Sequence, residues 1–230
     1  MLSLEDFKNG QVLLIDKPLE WTSFQVVNKI RWNIRQKFNI KNIKVGHAGT
    51  LDPLASGLLI ICTGNFTKKI DEYQGQEKEY TGEITLGATT PSYDMETQVD
   101  EIFPTEHITN ELIYNAVKQF VGEISQIPPM FSALKKDGVR LYDLAREGKT
   151  IEIKPRNIEI SEFEITAIAL PKIKFRVVCS KGTYIRSLAF DFGNAVNSGG
   201  YLSELRRTKI GDFSVENALD PLTYIEKELS

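Results

Sequence analysis

The chain has 230 residues, 41% of them hydrophobic and 26% charged, with a formal net charge of −3. These are values of an ordinary globular protein, long enough to bury a core without disulfide or metal staples. They exclude a low-complexity or fibrous chain, and the longest apolar run, Leu58 to Cys62, is too short to cross a bilayer.

The N-terminus, MLSLEDFKNG, carries Glu5, Asp6 and Lys8 and lacks the apolar stretch of a signal peptide. Val12 to Ile15 follows Asn9-Gly10 and predicts a short strand after a turn. Trp21-Thr22-Ser23 supplies helix N-cap chemistry, and Val27, Ile30, Ile34 and Phe38 then recur at helical spacing. A glycine-punctuated loop, GHAGTLDPLASG, leads into the buried run LLIIC. Tyr80 to Gly87 alternates as a strand does, and Thr109 predicts the start of a helix through Phe120, with Gly122 as its stop. From Ser125 a long excursion opens on Pro128-Pro129, exposes Met130 and Phe131, and ends in the short helical piece LYDLARE. Ile158 to Ile165 and Ile173 to Cys179 alternate as two strands. Residues 185–192 turn helical, and 201–208 predict a last strand or turn. Strands and helices mix without a βαβ rhythm, so the expected class is α+β with a largely antiparallel central sheet and flanking helices.

Charge is distributed by segment. Residues 1–50 hold eight basic and four acidic side chains, residues 130–186 twelve and seven, and residues 71–129 two and twelve. Two basic stretches lining one nucleic-acid groove would produce this pattern, and so would ordinary variation over a solvated surface. Cys62 and Cys179 lie singly in apolar segments, which suits small core residues in a reducing interior, so a cytoplasmic protein is expected. There is no Cys-x-x-Cys, and the only histidines, His47 and His107, are far apart in sequence, so neither metal nor cofactor is expected.

GHAGTLDPLASG lacks the spacings that cradle phosphates. It offers one carboxylate, Asp52, between Leu51 and Pro53, with glycines on both sides. Pro53 restricts its own backbone and biases Asp52 towards an extended conformation. Taken alone, Asp-Pro on such a loop is either a turn-maker or a positioned reagent.

Residues Gly46 to Leu59 resemble the active-site signature of the TruB-type bacterial tRNA pseudouridine synthases, which act on uridine 55 in the T-arm. Further segments match that family in the same order: Leu14-Ile-Asp-Lys-Pro18, Lys78-Glu-Tyr80, Phe131-Ser-Ala-Leu-Lys135 with Arg140 to Gly148, Lys181-Gly-Thr-Tyr-Ile-Arg186, and Leu205-Arg-Arg-Thr208. The resemblance runs from about Gly10 to Phe213. It implies the pseudouridine synthase catalytic fold and isomerisation of uridine to pseudouridine at position 55, with no cofactor and no metal.

By resemblance Asp52 is the catalytic carboxylate, acting on the ribose as nucleophile or as base. Arg186 is the arginine that pairs with it, which would hold one rotamer and its charged form. Tyr80 matches the tyrosine that stacks on the target base and assists at C5. Tyr184 matches a substrate-contacting tyrosine, and Leu205 the apolar residue closing the uracil pocket. His47 matches the histidine lying against the flipped-out substrate. Lys17 and Lys78 are candidate RNA contacts, with a structural role as the alternative for Lys17 and a merely solvated one for Lys78. The region at about 124–152 resembles an RNA-gripping loop, where Lys135, Lys136, Arg140, Arg146 and Lys149 suit phosphate contacts.

The expected organisation is one catalytic domain over 1–230, without the C-terminal RNA-binding (PUA) domain that many family members carry. The expected partner is the tRNA T-arm stem-loop, with no membrane and no required protein partner. Two rivals stand beside this reading. One is the archaeal and eukaryotic relative that uses guide RNA and partner proteins; the other is a non-catalytic RNA-folding protein that clamps the tRNA elbow.

Overall fold

The computed structural model describes residues 2–136, 138–149 and 151–229, the side chains of Lys135 and Lys136 excepted. In chain order its first elements are α1 (Leu4–Asn9), β1 (Val12–Lys17), α2 (Ser23–Lys37), β2 (Val45–Ala48), β3 (Ala55–Thr63), α3 (Ile70–Gly75) and β4 (Lys78–Leu86). The middle of the chain forms β5 (Ala88–Thr89), β6 (Glu101–Ile102), α4 (Asn110–Val117), β7 (Gly122–Gln126), β8 (Lys135–Lys136), β9 (Val139–Arg140) and α5 (Leu141–Arg146). Then come β10 (Arg156–Ala169), β11 (Lys172–Cys179), α6 (Ile185–Ala195), β12 (Gly200–Ile210), β13 (Phe213–Ser214) and α7 (Pro221–Glu228). The expected class holds: α+β, with strand pairs that are mostly antiparallel. The chain divides into two compact units, Met1–Tyr80 with Leu205–Ser230, and Thr81–Glu204.

In the first unit, β3 is the organising strand. β1 runs antiparallel along it, from Val12 opposite Cys62 to Lys17 opposite Gly57. β2 pairs with its second half, and β12 runs parallel to its first three residues. A strand flanked on both edges and covered on both faces reads as a continuous apolar run, which is why LLIIC does not alternate. Leu59 and Ile61 pack with Ile15 of β1 and with Val26, Ile30 and Ile34, the inner face of α2. Leu58, Ile60 and Cys62 face the other way, towards Ala48 and Ile210. The start of α2 is set by a capping box in which Thr22 and Gln25 bond each other's backbone N–H.

In the second unit, β10 pairs antiparallel with β11 on one edge and β7 on the other. Phe163 meets Phe120, Phe175 and Phe192 edge-on, with ring centroids about 6 Å apart (6.3, 6.0 and 5.8 Å). α4 is capped by Thr109 but ends at Val117, and residues Lys118–Phe120 tighten into a 3₁₀ turn.

Three local expectations are corrected. Gly122 does not merely stop a helix; it begins the edge strand β7, whose short, half-exposed GEISQ pattern carries too little periodicity to register. The glycine loop is also shorter than its sequence suggests. Gly46 to Ala48 belong to β2 and Ala55 to Gly57 to β3, so only residues 49–54 are loop. Met130 and Phe131 are half-buried rather than exposed, Phe131 lying edge-on to Tyr142 at 6.0 Å.

Candidate active site

Residues 49–54 are anchored from four directions. Ser23, the first residue of α2, accepts from the Leu51 N–H at 2.9 Å and donates back to the Leu51 carbonyl at 3.1 Å. The Glu20 N–H donates to the Pro53 carbonyl at 2.8 Å. The Lys17 ammonium, at the end of β1, donates to the carbonyls of Pro18, Trp21 and Pro53 at 2.9, 2.6 and 3.5 Å. From β12, Arg207 donates through Nε to the Leu58 carbonyl at 2.8 Å and through a terminal nitrogen to the Gly49 carbonyl at 3.0 Å. The residues on either side of Asp52 are thus held by hydrogen bonds, while Asp52 itself stays partly open to solvent. A loop so clamped positions its carboxylate, which favours the reagent over the bare turn-maker.

Two buried cations sit under this loop. Lys17 is 0% and Arg207 1% exposed. Burial pushes the Lys17 ammonium down to about 8; the charge of Asp52 pulls it back up, and that of Arg207 adds to the fall. His47, on β2 opposite Ile61, feels the same surroundings. Burial, and then the Arg207 charge, lower its pKa below the ordinary value, so its ring is neutral at pH 7. Its Nδ1 is buried and, among the described residues, has no hydrogen-bond partner.

Leu205 stands in register with Ala55 across the parallel β3–β12 pair, just past the loop. β12 lies between β3 and β4, and the buried Tyr80 is on β4. Asp52, His47, Leu205, Tyr80 and Lys17 therefore all belong to the first unit. Lys17 and Lys78 were candidate RNA contacts, but the structure gives both an internal position: Lys17 takes the structural role that was its alternative, and Lys78 is neither at RNA nor merely solvated. The Lys78 ammonium donates to the carbonyls of Gln74 and Gln76, and its side chain is buried. An ammonium engaged by backbone carbonyls beneath the surface is not held out to phosphate.

The remaining candidates fall in the second unit. Arg186, on the first turn of α6, is buried and donates to the carbonyls of Phe131 at 2.8 Å and Ser92 at 3.3 Å. It also faces the buried Asp94 carboxylate at 3.6 Å. Asp94 in turn accepts from the Ser92 hydroxyl at 2.6 Å and the Glu96 N–H at 2.9 Å. Tyr184 caps the start of α6, and its backbone is strapped at both ends by the Gln126 amide, at 2.8 and 3.1 Å. The Arg156 guanidinium lies over the Tyr184 ring at 5.5 Å. Arg140 is exposed ahead of α5, while Arg146 lies over the Tyr142 ring at 4.5 Å and reaches Glu96 at 3.7 Å. The backbones of Lys135 and Lys136 pair with Arg140 and Val139; their side chains lie outside the described residues.

Three participants escaped the sequence reading. Arg207 was quoted in a motif without a role, and Ser23 was read only as helix-start chemistry. Asp94 carried no signal, being one acid among twelve between residues 71 and 129. Among the described residues no three His, Cys, Asp or Glu side chains converge to hold a metal, and no helix is long and apolar enough to cross a membrane.

A partly exposed carboxylate on a loop clamped by two buried cations, set on an α+β fold, is an arrangement suited to carboxylate-dependent enzyme chemistry. Residues 35–185 match the family model described as TruB family pseudouridylate synthase (N terminal domain). The chain belongs to that family, whose members are isomerases. It is 66% identical over 226 residues to a Flavobacterium johnsoniae protein named tRNA pseudouridine synthase B, covering 98% of each chain. To the protein of that name from Phocaeicola vulgatus it is 57% identical over 221 residues, covering 96% of this chain and 94% of the other. Among solved structures it resembles a chain of a Cbf5–Nop10–Gar1 complex, with a TM-score of 0.69 and 30% identity. It also resembles a chain of an H/ACA ribonucleoprotein bound to a substrate RNA containing 2′-deoxyuridine, with a TM-score of 0.67 and 28% identity. Each match covers 96% of this chain but 56% of the other.

Proposed function

We propose that this chain isomerises uridine to pseudouridine in tRNA, at position 55 of the T-arm, with Asp52 as its catalytic carboxylate. The observation that carries the assignment to Asp52 is the clamping of its loop by Ser23, Lys17 and Arg207. The reaction breaks the N1–C1′ bond, turns the uracil and forms C5–C1′; the C5 proton leaves and N1 takes one up. No electrons are exchanged with an outside group. An ionised carboxylate beside the ribose, attacking C1′ or removing a proton at C2′, is the one reagent the exchange demands.

The other roles follow the residues' chemistry. The target base leaves its stack, at a cost of a few kcal/mol, and is received between aromatic and apolar side chains. Tyr80 supplies the stacking face, Leu205 the apolar one, and Tyr184 a further substrate contact. The neutral ring of His47 lies against the rearranged RNA. Arg186, held by Asp94 and by the backbone near Phe131, is the positioned cation among the catalytic residues. Arg140, Arg146, Lys135 and Lys136 grip phosphate, and Lys17 supports the loop from below. No protein partner takes part, and tRNA as substrate places the enzyme in the cytoplasm.

Tritium release from C5-labelled uridine in a T-arm stem-loop tests this reading. Wild type releases tritium and Asp52→Asn does not. Binding without release by wild type would leave a tRNA-elbow clamp in place of an enzyme, and equal release by Asp52→Asn would remove Asp52 from its role.

A further inference from the structure

α2 carries more on its solvent face than a packing helix needs. Its inner face is the buried set Val26, Val27, Ile30 and Ile34. The opposite face of such a helix is ordinarily polar. Here it bears Phe24, 61% exposed, and Trp32, 54% exposed. The helix holds Lys29, Arg31, Arg35 and Lys37 and no acidic residue. At about 100° per residue, Phe24, Asn28, Trp32 and Arg35 share one face, with Lys29 at its margin and Trp32 directly away from the Ile30–Ile34 side.

Structural roles account for part of this charge. Arg31 donates to the Val45 carbonyl, and Arg35 and Lys37 suit the helix C-terminus. They do not account for Lys29 or for two rings left in solvent. The face also begins at the catalytic loop: Ser23, bonded both ways to Leu51, is followed directly by Phe24. Trp32 lies about 12 Å further along the axis.

Cations, amides and flat rings without a carboxylate complement a polyanion that also presents flat faces. We propose that this face of α2 is a contact surface for the substrate RNA beyond the target uridine, Phe24 and Trp32 stacking on unpaired bases and Lys29 and Arg35 meeting phosphates. The inference rests on the tRNA pseudouridine synthase reading, which brings RNA to Asp52.

The test measures binding of a fluorescently labelled, unmodified tRNA transcript by the full chain over a range of salt. Trp32→Ala weakens binding by about fivefold or more, as expected for a lost stacking face, and Trp32→Phe restores most of it. Lys29→Ala with Arg35→Ala lowers the slope of log Kd against log salt by about one to two. Lys118→Ala, an exposed charge on another element, leaves the affinity unchanged. Affinity and slope equal to wild type in the α2 variants would overturn the proposal, as would a Lys118→Ala effect as large as theirs. So would a loss of self-association in Trp32→Ala, seen by sedimentation, with tRNA binding intact, since the face would then serve a second copy of the chain. A wild type that releases no tritium would sink the enzyme reading instead.

Discussion

Ser23 and Leu51 exchange two hydrogen bonds, the hydroxyl accepting from the Leu51 N–H at 2.9 Å and donating to its carbonyl at 3.1 Å. One side chain therefore satisfies both backbone groups of the residue preceding Asp52, in a buried spot where each would otherwise be stranded. Ser23→Ala is expected to destabilise the protein by about 1–3 kcal/mol. It should also lower kcat by about tenfold or more with little change in KM, because small displacements of a reacting group are costly. Ser23→Thr, which keeps the hydroxyl, should recover most of the rate. A Ser23→Ala enzyme with wild-type kcat would show that Asp52 needs no such anchor.

Asp94 and Arg186 form a buried pair in the second unit, 7% and 6% exposed at the side chain. Removing one partner's charge leaves the other uncompensated in a poorly polarisable setting. Asp94→Asn should therefore cost about 3 kcal/mol of stability. The single-turnover rate should fall with it, whereas tRNA affinity falls less. Stability and rate both within twofold of wild type in equilibrium unfolding and single-turnover assays would contradict the pairing.

Gly57 is the point where β1, β3 and β12 lie side by side, opposite Lys17 on one edge and Arg207 on the other. Its φ is +106°, and a Cβ placed there would come 2.2 Å from the Arg207 carbonyl oxygen. The neighbour is backbone and cannot swing aside. Gly57→Ala should destabilise by about 4 kcal/mol or more, visible as a large drop in melting temperature. A melting temperature close to wild type would mean that the parallel pair tolerates separation there.

The pH dependence of Lys17 has a definite sign. Its folded value is about 8, depressed from 10.5. Between those two values the unfolded chain binds more protons than the folded one, so stability rises with pH there. The neutral amine's contribution is complete above 10.5 and is lost as pH falls through about 8. Wild type should gain stability relative to Lys17→Met across pH 8 to 10.5, by on the order of 3 kcal/mol, in urea unfolding. A difference that stays flat over that window would refute a buried, depressed ammonium.

Much of the architecture is legible in the sequence. Ile158 to Cys179 alternates because two antiparallel strands each show one face to a core, and Thr22 and Thr109 start helices because their hydroxyls satisfy orphan N–H groups. Edge strand β7 escaped notice because so short and exposed a segment imposes little pattern.

Asp52 is singled out by its motif, although an Asp-Pro on such a loop, taken alone, is more often a turn-maker than a reagent. Sequence by itself determined the main strands and helices, the family resemblance and Asp52 as the candidate carboxylate, since these reside in local periodicity and in an unbroken run of residues. Only the tertiary structure decided which charges serve Asp52's loop. Lys17 and Arg207 are cations whose default is solvent; Arg207 is buried here because the distant carbonyls of Leu58 and Gly49 meet its hydrogen bonds, and Lys17 because Pro53 joins the nearby carbonyls of Pro18 and Trp21. Likewise Arg186 is tied to Ser92 and Asp94, a contact made across more than ninety residues of chain, which no local pattern records.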